Sequence, residues 1–424
     1  MIKLAGGHKF FLIFIIYFTL IFSNNIYAVQ IFDHHTEKFI KKINSDILKV
    51  NTYNKKIKFR IYKDDFPNAY VTEDNLIYLS SGLLTYSPNY VSLLGVLAHE
   101  IGHLEKYHVS KRKTEIKNLK NISTYSNIAA VVGSMIIQEP GILNSIVVNQ
   151  TAINNLFINF SQEQEIEADF YAIDTIKKLK LPTDPVKEFL LILENKTGVN
   201  LIDKELRKFS THPIFEKRYE IIDNSFDGKS YNFNKNYQRE FGFIQAKFMA
   251  YTDSGVINKL KEDQRIYYDS IQLSKSGKLI ESLKKINSLI SKNKKNYFIK
   301  ETKADILLSY GYTQEAIKFY RIVLQAQPDN NYVKYNIFVN STLNLNDINF
   351  NINFFLDNLN LLKYFPYNQN ILIKYYDLAK ILKYNEWILF FETLLFQKKD
   401  SNKIFDQLNK QTKDYNLKKI IKLY

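Results

Sequence analysis

His99-Glu100-Ile101-Gly102-His103 places two imidazoles four residues apart, with a carboxyl beside the first. On a helix, residues four apart leave the same face one turn from each other. Imidazole nitrogens presented that way can grip one Zn²⁺ at about 2.0–2.1 Å. The glutamate then lies next to the ion, where it can take a proton from water. With 7 histidines in 424 residues, a chance match to this spacing is on the order of one in a hundred. A buried helix that turns two histidines and a glutamate inward is also costly unless something binds them. These residues therefore favour metal chemistry over two ordinary helix histidines.

Catalytic zinc usually has three protein ligands and one open position. The spacing H-E-x-x-H-x-x-G-x-x-H does not supply the third, because Lys106 stands at its glycine and Val109 at its last histidine. His108 lies five residues past His103, about 140° around a continuous helix. It is expected to face away, as a polar residue at a helix end. With no cysteine in the chain, the remaining choice is a carboxylate. Residues 161–169 (SQEQEIEAD) offer candidates. Glu165 and Asp169 share a helix face, and small Ala168 allows a neighbouring helix to come close. Glu165 is a candidate third ligand. Asp169 can accept the outer N–H of a ligand histidine and fix its tautomer. Glu163 and Glu167 are expected to be solvated.

H-E-I-G-H followed further along by E-I-E-A-D resembles the gluzincin zinc peptidases, which include the CAAX prenyl protease and the heat-shock protease HtpX. Upstream, Pro67-Asn68-Ala69 and the run Leu76 to Leu84 are similar to that family's P-N-A element and the strand before its zinc helix. Downstream, Thr211-His212-Pro213 and Arg218 look like its H-P…R element. The likeness runs from residue 29 to about residue 260. It implies one Zn²⁺ per chain held by His99, His103 and Glu165, with Glu100 as general base. It further implies that His212 approaches the metal, steadying an oxyanion or masking the open position, and that Arg218 orients its neighbours. One departure is Gln162, which stands where many members carry arginine.

The elements that must position these groups follow from periodicity. Ser87-Pro88 is the expected start of the metal helix, an N-cap followed by proline. Leu93, Leu94, Leu97, Ile101 and Leu104 give that helix an apolar stripe. Phe39, Ile40, Ile43 and Ile47 predict an earlier amphipathic helix, and Ile57, Phe59 and Ile61 alternate as a strand does. Asn75, Leu76, Ile77, Tyr78, Leu79 and Ser80 form a second strand leading toward the metal helix. As an edge strand it would pair with an extended substrate backbone, with Asn68 close by. The alternative is a plain core strand. Between the metal motifs, the apolar run Ile128 to Ile137 and the break at Glu139-Pro140-Gly141 predict a core helical hairpin or a lid.

Residues 1–28 read as a secretory signal, with Lys3, Lys9, the apolar stretch Phe10 to Phe22, and Ile26-Tyr27-Ala28 before Val29. That stretch is short of the ~20 residues that span a bilayer. The expected compartment is the periplasm, an uncleaved anchor being the alternative. No disulfide is possible without cysteine, although that compartment would permit one. The net charge of +15, from 58 basic and 43 acidic residues, is spread along the chain. Nucleic-acid binding is not expected; peripheral contact with an anionic membrane surface is the weaker possibility left.

Asp223 to Tyr237 reads as a linker, giving a zinc metallopeptidase domain over 29–235 and a helical repeat domain over 236–424. Gly277 and Gly311 are 34 residues apart, the tetratricopeptide period. Ala304, Gly311, Ala316, Tyr320 and Pro328 match one repeat, and Gly277, Ser282 and Ile286 another, in which Lys294 replaces the proline. Such units stack into a superhelix with a concave binding surface. The expected fold is thus an α+β zincin-like metallopeptidase domain, mainly helical with a small sheet, followed by an all-α tetratricopeptide-like superhelix. The expected function is peptide-bond hydrolysis in protein or peptide substrates. By the resemblance these are misassembled envelope proteins, with the repeats docking the outer-membrane assembly machinery. A chaperone or scaffold with a masked zinc site is the main alternative, and a hydrolase of peptidoglycan or small peptides is a third.

Overall fold

The computed structural model describes residues 30–72, 74–111, 114, 160–197, 216–225, 233–343, 346–396 and 400–424. The signal segment, the run Ile128 to Ile137, and His212 lie outside the described residues. Two compact units are present: residues 30–31 with Phe39–Val256, and Phe32–Lys38 with Ile257–Tyr424. No helix among the described residues is long and apolar enough to cross a membrane.

The first unit is mainly helical around a four-stranded sheet of β1 (Gln30–Ile31), β2 (Lys58–Tyr62), β3 (Ala69–Thr72) and β4 (Leu76–Ser80), in the order β1-β2-β4-β3. β4 runs parallel to β2, with Phe59 opposite Ile77 and Ile61 opposite Leu79, and antiparallel to β3, with Val71 opposite Ile77. Both edges of β4 are therefore taken, and Asn75–Ser80 is a core strand rather than a substrate-pairing edge. The alternation that identifies the strand sends Ile77 and Leu79 into the core beside Ile61 and Val71. Its other face stacks Tyr78 on Tyr70, with ring centroids 4.8 Å apart. Asn75 caps the β3–β4 turn with a positive φ of 54°, and its side chain accepts the Tyr53 hydroxyl at 2.6 Å.

The residues around Asn68 and Ser80 form a clasp. The backbone N–H of Asn68 donates to Ser80 Oγ at 2.8 Å, and that oxygen also caps helix α2 (Ser81–Tyr86) by accepting from the backbone of Leu83 at 2.9 Å. Helix α1 (His34–Lys49) puts Phe39, Ile40, Ile43 and Ile47 into the same core as β4. Gly82 donates to Asp64 O at 2.7 Å. A Cβ there would sit 2.5 Å from Asp65 O, so the two backbone segments can meet only at glycine.

Helix α3 (Tyr90–Glu105), which carries H-E-I-G-H, starts two residues later than the Ser-Pro pair suggests. Its N-cap is Asn89, in a capping box with Ser92. Ser87 instead closes α2: it precedes proline, which disfavours the helical region, and its ψ is 126°. Leu93, Leu94, Leu97 and Ile101 are fully buried, as their spacing predicts. Helices α4 (Gln162–Lys178), α5 (Asp184–Thr197), α6 (Glu216–Asp223) and α7 (Lys235–Thr252) are the other long helices among the described residues of the unit. α7 belongs here, not at the head of the repeats, because Phe241, Ile244 and Phe248 fill the first core. Its Gln245 amide also donates to the carbonyls of Leu84 and Ser87. The division accordingly falls after Val256.

In the second unit, α8 (Glu262–Lys275) packs on α9 (Leu279–Lys292), and α10 (Tyr297–Ser309) on α11 (Thr313–Ala326). Gly277 and Gly311 end α8 and α10 with the same φ of 81°. The two turns make the same hydrogen bonds, Lys278 to Leu273 and Gly277 to Ser274 in one, Tyr312 to Leu307 and Gly311 to Leu308 in the other. That is a Schellman closure. Ala304, Ala316 and Tyr320 are fully buried, as are Ser282 and Ile286 at the matching places one period earlier. Further helices gather Phe338, Phe355, Tyr375, Trp387, Phe390 and Phe391 into one aromatic core.

Candidate metal centre

The centre forms where α3 crosses α4. A Cβ on Gly102 would lie 3.1 Å from Ala168 Cα, so the helices meet at a glycine and an alanine. α4 is fixed at its start by Ser161, whose capping box pairs it with Gln164. From that start the helical period turns Glu165, Ala168 and Asp169 inward.

Three donor side chains meet there. His99 Nε2 and His103 Nε2 are 3.1 Å apart. Glu165 presents Oε2 to His99 at 3.3 Å and Oε1 to His103 at 3.4 Å. Two ligands of a tetrahedral Zn²⁺, each about 2.0–2.1 Å from it, are about 3.3 Å from each other. The donor set and its spacing therefore fit zinc. All three side chains are buried. Glu100 is buried too, and its charge acts on Arg218 and Tyr62. With Glu100, Glu165 and Asp169 all acting on one guanidinium, negative charge is in excess and a dication would offset it.

Asp169 and Arg218 surround the first histidine. Asp169 Oδ1 is 2.8 Å from His99 Nδ1. Arg218, brought in by α6, donates Nε to Asp169 Oδ2 at 2.6 Å and Nη2 to Oδ1 at 2.8 Å. Its Nη1 lies 3.1 Å from Glu165 Oε2. One guanidinium thus ties Glu165 to the carboxylate behind His99, in the forked geometry that arginine favours. Burial opposes ionisation of Asp169, but Arg218 and His99 outweigh it and hold the carboxyl below its usual range. Burial likewise opposes charge on Arg218, and Asp169 and Glu165 overcome that, raising its pKa. For His99 burial acts downward, and Glu165 and Asp169 turn the net shift upward.

The second histidine is surrounded differently, and here the expectation for His108 is corrected. His108 does not face away: its Nδ1 lies 2.9 Å from Nδ1 of His103, and its Nε2 lies 3.0 Å from Glu167 Oε2. Helix α3 ends at Glu105, and Tyr107 adopts a left-handed φ of 57°. That reversal brings the chain back under the helix, so the continuous-helix angle does not apply. Glu167 is correspondingly not a purely solvated residue. Phe160 adds a ring stacked on His103, with centroids 3.7 Å apart. Sequence reasoning missed His108, Glu167 and Phe160. The available hint was the location of Phe160 and Glu167 on either side of Glu165, in the segment already marked by its carboxylates. Of the other expected residues, Asn68 and Asn75–Ser80 serve the clasp and the sheet core, and His212 lies outside the described residues.

A helix-borne histidine pair facing a glutamate, with aspartate and arginine behind, defines a metallopeptidase centre. Residues 33–225 match Peptidase family M48, which supports a metallopeptidase in this region. The chain is similar to the beta-barrel assembly-enhancing protease of Escherichia coli K12, at 22% identity over 63% of this chain and 57% of that protein. The Yersinia pestis protein of the same name is 23% identical over 45% of this chain and 39% of its own length. The mitochondrial metalloendopeptidase OMA1 of Schizosaccharomyces pombe is 24% identical over 45% of this chain and 53% of its own. The chain spans about half the length of these curated relatives.

Proposed function

We propose that the chain is a zinc-dependent endopeptidase of the bacterial envelope that cleaves misassembled proteins, with its helical repeats as a docking domain. The observation that carries this reading is the triangle of His99, His103 and Glu165 donor atoms beside buried Glu100. His99, His103 and Glu165 would hold zinc, which when bound supplies a Lewis acid for the scissile carbonyl and makes water more acidic. Glu100 takes the proton of the attacking water and passes it to the leaving amine. Asp169 and Arg218 hold His99 and Glu165 in place. His212, by the family resemblance, screens or steadies the site. β3 is one of the two outer strands of the described sheet, and of the two it is the one that packs on α3. An extended substrate would add to it by backbone pairing.

The relatives' name, beta-barrel assembly-enhancing protease, supports an envelope substrate and the outer-membrane assembly machinery as partner. The matched turns at Gly277 and Gly311 support a repeat superhelix. The apolar run Phe10 to Phe22 supports periplasmic delivery. The test is zinc content and casein cleavage by the full chain beside Glu100→Gln. One zinc per chain in both, with cleavage lost only in Glu100→Gln, is the expected result. Zinc without cleavage by the wild type would favour the scaffold reading, and no zinc would overturn both.

A further inference from the structure

We propose that His108 is a positioning residue for this centre: it accepts the outer N–H of His103 and is itself held by Glu167, fixing the tautomer and plane of the second metal histidine. The inference rests on the metal-centre reading above and adds a residue that reading does not use. Each proton in the relay is determined by its neighbour. His103 directs Nε2 at His99 and Glu165, so a metal ligand needs that nitrogen bare and the proton on Nδ1. His103 Nδ1–H then meets His108 Nδ1 at 2.9 Å, which can only accept. A neutral His108 so engaged carries its own proton on Nε2, and that N–H meets Glu167 Oε2 at 3.0 Å. Every polar atom on the path has one role, and the path ends on an anion.

Four further observations go beyond mere filling of space. His108 is 1% exposed, although it lies past the end of its helix. It is delivered there by a left-handed tyrosine, a conformation that L side chains rarely adopt. Glu167 comes from α4, two residues from Glu165. The relay therefore fastens the α3 histidine to the same helix that brings the third donor. Phe160 closes the remaining side of the His103 ring, so rotation about its outer bond is opposed by stacking as well as by hydrogen bonding.

The test compares the full wild-type chain with His108→Phe, His108→Gln and Glu167→Gln. Zinc affinity is read by competition with a chelator, thermal unfolding on the metal-free protein, and geometry from the visible absorption of the Co²⁺ form. His108→Phe keeps a planar ring and loses both nitrogens. It is expected to weaken zinc binding about 10–100-fold and to change the Co²⁺ bands, with metal-free unfolding near wild type. His108→Gln, which can accept at one atom and donate at another, is expected to recover most of that loss. Glu167→Gln is expected to weaken binding by about tenfold or less. Wild-type affinity in His108→Phe, or no recovery in His108→Gln, overturns the proposal. If His108→Phe does not fold, Glu167→Gln and Glu167→Ala decide, and wild-type zinc affinity in both overturns it. A wild type that takes up no zinc removes the underlying metal reading instead. Zinc bound tightly by the wild type and every variant removes only this inference.

Discussion

The two histidines of the candidate centre sit one turn apart on one helix, yet their outer nitrogens meet opposite kinds of support. Behind His99 stands a buried ion pair, Asp169 gripped by two nitrogens of Arg218. Behind His103 stands a neutral ring, His108, whose own partner Glu167 has a side chain 53% exposed. The first support is rigid because both charges are out of water and neither can leave without stranding the other. The second is a hydrogen-bond relay that reaches the surface, so its strength is adjustable from outside. The difference separates two jobs that a single structure can confuse: holding the fold together and aiming a ligand. Arg218 does both, because it also reaches Glu165, whereas Glu167 serves the ligand almost alone.

The largest effect is expected at the ion pair. Arg218→Ala strands two buried carboxylates, and breaking such a pair costs about 3–5 kcal/mol. Denaturant unfolding of the metal-free protein reads this directly. A loss under 1 kcal/mol would show that the buried pair is not what stabilises this end of α4. Asp169→Asn is the finer probe. Its amide can still accept from His99, but its N–H₂ group then faces the Arg218 guanidinium, donor against donor. Zinc affinity is expected to fall about 10–100-fold, measured by chelator competition. Unchanged affinity would mean that His99 needs no partner, and the comparison between the two supports would lose one side.

How far these supports are legible in sequence follows the same divide. His99, Glu100, His103, Glu165 and Asp169 can be placed because all lie inside regular helices, where spacing gives direction. Ala168 was readable as a close-approach residue for the same reason; its counterpart Gly102 is confirmed by contact. His108 was not legible, because the reversal at Tyr107 uses no glycine and leaves no turn signature. Glu167 looked solvated because only its unseen partner distinguishes it from Glu163. The strand Asn75–Ser80 was recognisable as a strand, but its place between β2 and β3 depends on sheet order, which local alternation does not encode. The apolar stripe of α7 marked a helix without saying which core it fills. In the second unit the reverse holds: one turn repeats at Gly277 and Gly311, so a period alone located both. Where the pattern decays, the left-handed turn survives at Lys383 without glycine, and sequence goes silent.

A change acting on both supports together is expected to come next in size. Gly102→Ala puts a methyl 3.1 Å from Ala168 Cα and Tyr171 Cβ, so α3 and α4 must separate by a few tenths of an ångström. Helix propensity favours alanine by about 1 kcal/mol, which offsets part of the crowding in the metal-free fold. The donors, however, come from both helices, and zinc affinity is expected to fall by about tenfold, the low end for changes in ligand support. Stability near wild type with weakened zinc is the expected pair of readings. Unchanged zinc affinity would show that the crossing relaxes without moving the ligands.

The smallest effect, and the sharpest contrast with Arg218, is expected in the metal-free stability of Glu167→Gln. A half-exposed carboxylate keeps much of its hydration, and its replacement by an amide leaves an acceptor for His108 Nε2–H. The cost to the metal-free fold is expected to stay under about 1 kcal/mol, as for exposed ion pairs generally. Urea unfolding of the metal-free wild type and variant measures it. If Glu167→Gln proved as destabilising as Arg218→Ala, the relay behind His103 would be part of the buried framework too. The two histidines would then be supported alike, and the separation of holding from aiming would not describe this centre.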